Sequence, residues 1–500
     1  MREAEYNSAS QGVYSWTHGV VMKRIFCLAL ALGLAGCTTR QHAPTPTPTP
    51  TPSLDSRAGP ATRLELPPQI TSFIAAKEKH AQTLAVKLKV QVHDDYWRFF
   101  REASRGDWPA ANSIYESLQE RTRSGQGSTN DPKFNPTVWQ TIAEVSMVLD
   151  YYTPSNNAPK WSTEFGEGIV KSIPRGSIYF GGTDPGRGLP TAFSRSHAGG
   201  DPFYTLTQNA LADGTYLEYL RHTYGGKIQI PSNDDSQQCF QAYLADAQER
   251  LQHDKDFPDE ALQLKPGEDV QIVDGKAQAS GQVAVMAING LLTKVIFDRN
   301  PDREFYVEES FPLEWMYAHL TPHGLIMKVH REPLASLAPE IIAKDREFWT
   351  KQQAAMIGDW LTPDTSVREV CEFAEKVFLK KDLSGFQGDP SFVRSDHTTS
   401  TYSKLRSSIA GIYNWRIEHS DSSEEKQRMI EEADFAFRQA FALCPVSPEA
   451  IFRYANLLVQ NRRVSDALRI AYTADRLKPE DPQIENLIVE LERIRDSPPK

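Results

Sequence analysis

The chain has 500 residues, 40% hydrophobic and 24% charged, with a formal net charge of −10. This composition excludes a fibrous or wholly disordered chain and implies two or three globular domains. No cluster of Lys and Arg stands out, so nucleic acid is not an expected partner.

The first chemical feature is Met22-Lys23-Arg24, followed by the apolar run Ile25–Ala35 and then Gly36-Cys37. Two positive charges, a short apolar stretch and small residues form a secretory signal, too short to span a membrane as a mature helix. Residues 1–36 are therefore expected to be removed; 1–21 are polar, so either the n-region is long or, the reading preferred, translation starts at Met22. Leu34-Ala35-Gly36-Cys37 resembles the bacterial lipobox. The resemblance implies lipidation of Cys37, and Thr38 in place of Asp implies an outer-membrane address facing the periplasm or surface. Residues 37–68 then form a linker, in which Pro and Thr alternate from Pro44 to Pro52. Proline at every second position blocks helix and sheet pairing and favours polyproline II. Ala43–Pro60 thus spaces the folded part about 50 Å from the bilayer, at about 3.1 Å per residue.

Residues 69–160 form a helical region. An apolar pattern runs from Ile70 through Phe73, Ile74, Leu84, Leu88, Val92, Trp97 and Phe100, predicting helix over 70–104. Pro109 opens a second helix through Ile114, Tyr115 and Leu118, and Val138–Leu149 is a third. An aromatic helix, a Gly-Asp-Trp turn and an alanine-rich helix resemble one tetratricopeptide hairpin. The three cysteines left after processing and lipidation, Cys239, Cys371 and Cys444, have no CxxC spacing. They are expected in the core, or two of them in a disulfide in an oxidising compartment, with no metal and no cofactor.

Residues 161–335 are expected to be an α/β domain with a Rossmann-like layered sheet. Its centre is Ile173–Gly188, a short strand Ser177–Phe180 ending in the loop Gly181-Gly182-Thr183-Asp184-Pro185-Gly186-Arg187-Gly188. Open α/β sheets place ligands where strands end in such loops. Pro202–Tyr219 reads as partly helical, and Val283–Phe297 as a helix. Ile228–Ile230, Glu304–Val307 and Gly324–Val329 read as strands. The loop has neither a strict GxGxxG pattern nor the lysine and Ser/Thr of a P-loop.

The candidate ligand residues are Asp184, Arg187, Asn209, Asp213 and Glu308. Asp184 can bind a metal, a sugar hydroxyl or a substrate proton, or else shape an Asx-turn. Arg187 can hold a phosphate or carboxylate bidentately, or pair with Asp184 or Asp201. Asn209 and Asp213, at i and i+4, can face the same pocket or bond nearby backbone. Alternation sends Glu308 and Glu309 to opposite faces, so at most one meets Asp184. No HExxH, GxSxG or His/Asp cluster is present, and no catalytic residue is assigned.

Residues 336–399 read as a helical connector. In 400–495, Ala433 and Ala467, Ala440 and Ala474, Leu443 and Leu477, Pro445 and Pro479, and Pro448 and Pro482 recur 34 residues apart. The spacing and the small residues resemble tetratricopeptide repeats. Over roughly 70–480 the chain resembles bacterial tetratricopeptide-repeat proteins carrying SIYFGGTDPGR-, TQNALAD- and EFYVEESFPL-like segments. A strand ending in Gly-x-x-Asp is similar, over about 60 residues, to the extramembrane part of membrane glycosyltransferase-like proteins. No lipid-linked donor site is carried over, because the membrane spans of those proteins have no counterpart here. The expected function is a membrane-anchored, non-enzymatic scaffold that takes a protein or peptide partner in its tetratricopeptide groove. The alternative is an α/β enzyme or ligand-binding domain acting on a phosphorylated or glycosidic substrate at Gly181–Arg187.

Overall fold

A computed structural model describes residues 63–123, 133–153, 159–194, 203–265, 267–273, 276–309 and 312–497. The signal, Cys37 and most of the Pro/Thr linker lie outside the described residues, as do Asp201 and Ser310. The described chain is mostly helical, around a small mixed sheet.

The expected first helix is two. In α1 (Pro68–Leu88), Ile70, Phe73, Ile74, Lys77, Ala81 and Leu84 form one buried face at helical spacing. Lys89 ends it in the left-handed conformation, φ 55°, with its N–H on the carbonyls of Ala85 and Val86. His93 then caps α2 (Asp94–Ser104) by accepting from Asp95 N. Helices α3 (Trp108–Arg123), α4 (Pro136–Asp150) and α5 (Pro159–Ser172) follow, α4 entered through an Asn135 cap and Pro136 in the first turn.

The sheet begins with β1 (Ile178–Gly181), whose four residues are all buried, as suits a strand covered on both faces. After α6 (Asp184–Phe193), β2 (Tyr204–Thr207) pairs parallel to β1. This corrects the helical reading of its sequence. The four residues are followed by a single 3₁₀ turn, Gln208–Ala210, and α7 (Gly214–Tyr224). Ile228–Ile230 is not a sheet strand. Ile228 makes one isolated bridge to Gly225, and Asn300 holds both the N–H and the carbonyl of Gln229 instead.

Helix α8 (Asn233–Asp256) starts at a capping box formed by Ser232 and Asp235. The hairpin β3 (Asp269–Val273) and β4 (Lys276–Ser280) and the helix α9 (Gly281–Arg299) complete a side unit. β5 (Phe305–Glu308) joins β1 in parallel, while β6 (Leu320–His323) and β7 (Ile326–Val329) add an antiparallel edge. The order is β2-β1-β5-β7-β6, so the sheet is mixed. Helix α6 packs on β1 and β2, with α1, α4 and α5 outside it.

Helices α10 (Pro339–Ile357), α11 (Val367–Ala374) and the short α12 (Pro390–Val393) lead into α13 (Asp396–His419), α14 (Ser423–Leu443), α15 (Pro448–Gln460), α16 (Val464–Leu477) and α17 (Pro482–Asp496). Each helix packs on the next from α13 to α17. Ala433, Ala440, Ala467 and Ala474 are fully buried, where small side chains let neighbouring helices approach. α13 also packs on β6 and β7. Among the described residues, one continuous apolar core runs from Ile70 to Leu491, and only the side unit has a separate small one. Cys239, Cys371 and Cys444 are free and buried. Burial pushes the Cys371 and Cys444 thiols up to about 11, so neither is a ready nucleophile.

Candidate functional site: the glycine loop at the ends of the parallel strands

Register places Gly181, Thr207 and Glu308 side by side where β1, β2 and β5 end. This is the edge at which an α/β sheet takes its ligands. Here the edge is filled by the chain's own carboxylates. Thr183 caps α6, its hydroxyl accepting from Gly186 N at 3.2 Å. The same hydroxyl donates to Glu308 Oε1 at 2.7 Å, and Thr183 N donates to Glu308 Oε2 at 3.1 Å. Glu308 is fully buried. Its carboxyl is pushed above the usual range by burial, against the pull of the Thr183 and Gly182 donors.

The second carboxylate meets the other side of the loop. Gln208 Nε2 and Asn209 Nδ2 each donate to Glu309 Oε2 at 3.3 Å, and Asn209 also donates to the Gly182 carbonyl at 2.9 Å. Asn289 fixes the 3₁₀ turn, accepting from Ala212 N at 2.7 Å and donating to the Asn209 carbonyl at 3.0 Å. Ser408 of α13 donates to the Glu309 carbonyl at 2.5 Å. The glycines serve this packing. A Cβ on Gly182 would overlap the Glu309 carboxylate, and one on Gly186 would overlap that of Glu308.

The structure thus brings Glu308 and Asn209 together and leaves the other candidates outside. Asp184 stands in the first turn of α6, its side chain 65% exposed and ion-paired with Arg187. This ion pair is one of the two pairings the sequence leaves open for Arg187. Asp213 caps α7, accepting from Thr215 N and Thr215 Oγ1 at 2.8 Å, and does not face the loop. Glu308 and Glu309 both reach the loop, because the chain leaves strand geometry after Glu308. Neither contacts Asp184 by hydrogen bond among the described residues.

Sequence reasoning missed a polar cluster beside the loop. Lys77 of α1 is fully buried; it donates to Glu144 and, at 3.0 Å, to the Tyr219 hydroxyl, which itself donates to Glu144 at 3.0 Å. The signal was available, since Lys77 sits at a helical position of the apolar stripe. Glu144, Arg187, Thr205, Thr207 and Tyr216 line an adjoining cavity of about 10 Å³. That is about the room of one water, far short of a nucleotide or sugar. Among the described residues, no group of His, Cys, Asp and Glu could hold a metal ion.

His80 lies against Tyr219, ring centroids 5.6 Å apart. Burial and then Lys77 hold its imidazole down to about 3. The unfolded chain binds this proton below the ordinary value of about 6.5. The folded chain resists it, so this contribution to stability is present above about pH 6.5 and lost as pH falls toward 3. His80→Gln should flatten that part of the stability profile in urea unfolding at stepped pH. An unchanged slope would show that the imidazole titrates alike in both states.

No protein-family model matches this chain, and neither a curated protein nor a solved structure matches it.

Proposed function

We propose that the chain is a cell-envelope lipoprotein, anchored through Cys37, whose folded part binds a polypeptide partner rather than turning over a substrate. In this reading the β2-β1-β5 half of the sheet is a Rossmann-like layer turned to a structural use. Helices α13–α17 form a short tetratricopeptide-type stack, supported by the 34-residue recurrence of the buried alanines.

The observation that carries the reading is a contrast. The glycine loop is closed by Glu308 and Glu309, while an open groove of about 670 Å³ runs between α10 and α14. Helix α13 packs on β6 and β7, and the groove lies where α10 meets α14. Ile342, Ala343 and Ala354 give the groove an apolar floor, and its sides carry both signs, Arg346, Lys351 and Arg428 beside Glu347 and Glu432, with Arg346 paired to Glu432. An apolar floor with a polar rim is the anatomy of a protein interface.

The test is site-specific photo-crosslinking in intact cells. A photoreactive residue at Ala343 should capture one discrete partner, and Ala354→Arg should abolish capture. The same probe at exposed Val489 should not capture it. Cys37→Ser should move the protein from membrane to soluble fraction, because acyl chains contribute about 0.8 kcal/mol per buried CH₂. Equal capture from both positions, or a Cys37→Ser protein still in the membrane, would overturn the reading.

A further inference from the structure

We infer that the side unit built from α8, the β3–β4 hairpin and α9 is a second docking surface, shaped for a cationic, apolar polypeptide segment. The inference is independent of the α10–α14 groove. Three observations carry it: exposure, an open sheet edge, and charge.

Phe257, Leu262, Ile272, Val273 and Val285 are 51%, 75%, 41%, 40% and 45% exposed, and all belong to this unit. Elsewhere among the described residues, large hydrophobic side chains with such exposure stand singly, at Val86, Leu379 and Val489. α9 is apolar and long enough to cross a membrane, yet only 33% of its most apolar window is buried. The unit's own core is small, formed by Tyr243, Ala247, Val270 and Ala284. Concentrated exposure of this kind marks an interaction site.

The β3–β4 hairpin is a sheet of two strands. Such a sheet is marginal alone, and its unpaired backbone groups are a template for an added strand.

Charge selects the occupant. Residues 233–280 hold eleven Asp and Glu against four Lys and Arg, a net −7 within a chain of −10. Some of these acids are used internally: Asp235 pairs with Arg299, and Glu268 accepts from Arg250 and Tyr243. Others are spread over exposed positions, including Asp234, Glu249, Asp256 and Asp259. Asp256 and Asp259 flank exposed Phe257. An acidic field around apolar side chains repels an anionic lipid surface and a second copy of itself, and attracts a segment carrying Lys or Arg between apolar residues.

The experiment uses the full folded chain and two synthetic peptides of one apolar pattern, one with lysine and one with glutamate at the polar positions. Binding is measured by fluorescence anisotropy, alongside flotation with anionic vesicles and light scattering. The lysine peptide should bind at least tenfold more tightly than the glutamate peptide, and more weakly as salt rises. Glu249→Lys with Asp259→Lys should weaken it about tenfold, as should Phe257→Ser with Leu262→Ser. Circular dichroism confirms that these surface variants stay folded, and Ala343→Arg in the separate groove should leave the affinity unchanged. Equal binding of both peptides, or affinity indifferent to both surface pairs, overturns the inference. So does variant-sensitive flotation with vesicles, or a dimer that Leu262→Ser dissociates.

Discussion

Replacing Arg406 with alanine should lower stability by about 3–5 kcal/mol, the cost of leaving one partner of a buried ion pair without the other. Arg406 of α13 and Asp345 of α10 are each almost wholly buried, with Nη1 and Oδ2 2.7 Å apart. Further contacts hold Arg406 and the same Asp345 oxygen, while Asp345 Oδ1 is buried without a hydrogen-bond partner among the described residues. Arg406 Nε donates to Gln439 Oε1 at 2.8 Å, its guanidinium lies 5.2 Å from the Trp349 ring, and Tyr413 donates to Asp345 Oδ2 at 2.7 Å. Gln439 continues the network to Gln353 at 3.0 Å, joining α10, α13 and α14. A domain is commonly stable by only about 5–15 kcal/mol, so this loss would be a large fraction of the total. Asp345→Ala should cost a similar amount by leaving the guanidinium alone. Arg406→Met with Asp345→Leu should recover most of the loss, because no buried charge then remains. Urea midpoints of the four proteins check this. A single variant within about 0.5 kcal/mol of wild type would show that the pair is hydrated in solution.

This network shows where sequence reasoning stops. The 34-residue recurrence of small residues was legible in the sequence, and Ala440 and Ala474 are both buried. β1 was legible because a strand covered on both faces is continuously apolar. β2 was not, since Tyr204–Thr207 shares its segment with a 3₁₀ turn and α7, and only its parallel partner makes it a strand. Lys77 falls on the apolar stripe of α1, but nothing in the sequence names the partner of Arg406 or of Lys77. Their partners, Asp345 and Glu144, lie 61 and 67 residues away in sequence. The glycine loop was legible, but the sequence left open whether it takes a ligand or packs against the chain itself. Glycines that admit a ligand and glycines that admit a glutamate from β5 are identical in one dimension.

That last distinction gives the second large effect. Gly186→Ala should destabilise the chain by about 3 kcal/mol, because the new methyl would overlap the Glu308 carboxylate. Glu308 cannot easily swing away, since it is fully buried and accepts from both Thr183 N and Thr183 Oγ1. Glu308→Ala alone should cost about 1–3 kcal/mol by leaving these two donors unpaired. Combined with Gly186→Ala, however, it makes room for the methyl. The double variant should therefore be more stable than the two losses added, with a coupling of about 0.5–3 kcal/mol. Gly214→Ala is the control: nothing lies within 4 Å of its added Cβ, and it should be neutral or slightly stabilising. The same proteins test the function assigned to the loop. A phosphate bound at the α6 N-terminus would raise the midpoint of wild type by mass action. With Glu308 already in that position, millimolar phosphate should leave wild type unmoved. Strict additivity of Gly186→Ala and Glu308→Ala, or a midpoint that rises with phosphate in wild type, would mean that Glu308 leaves the loop in solution and that the strand ends are open to a ligand after all.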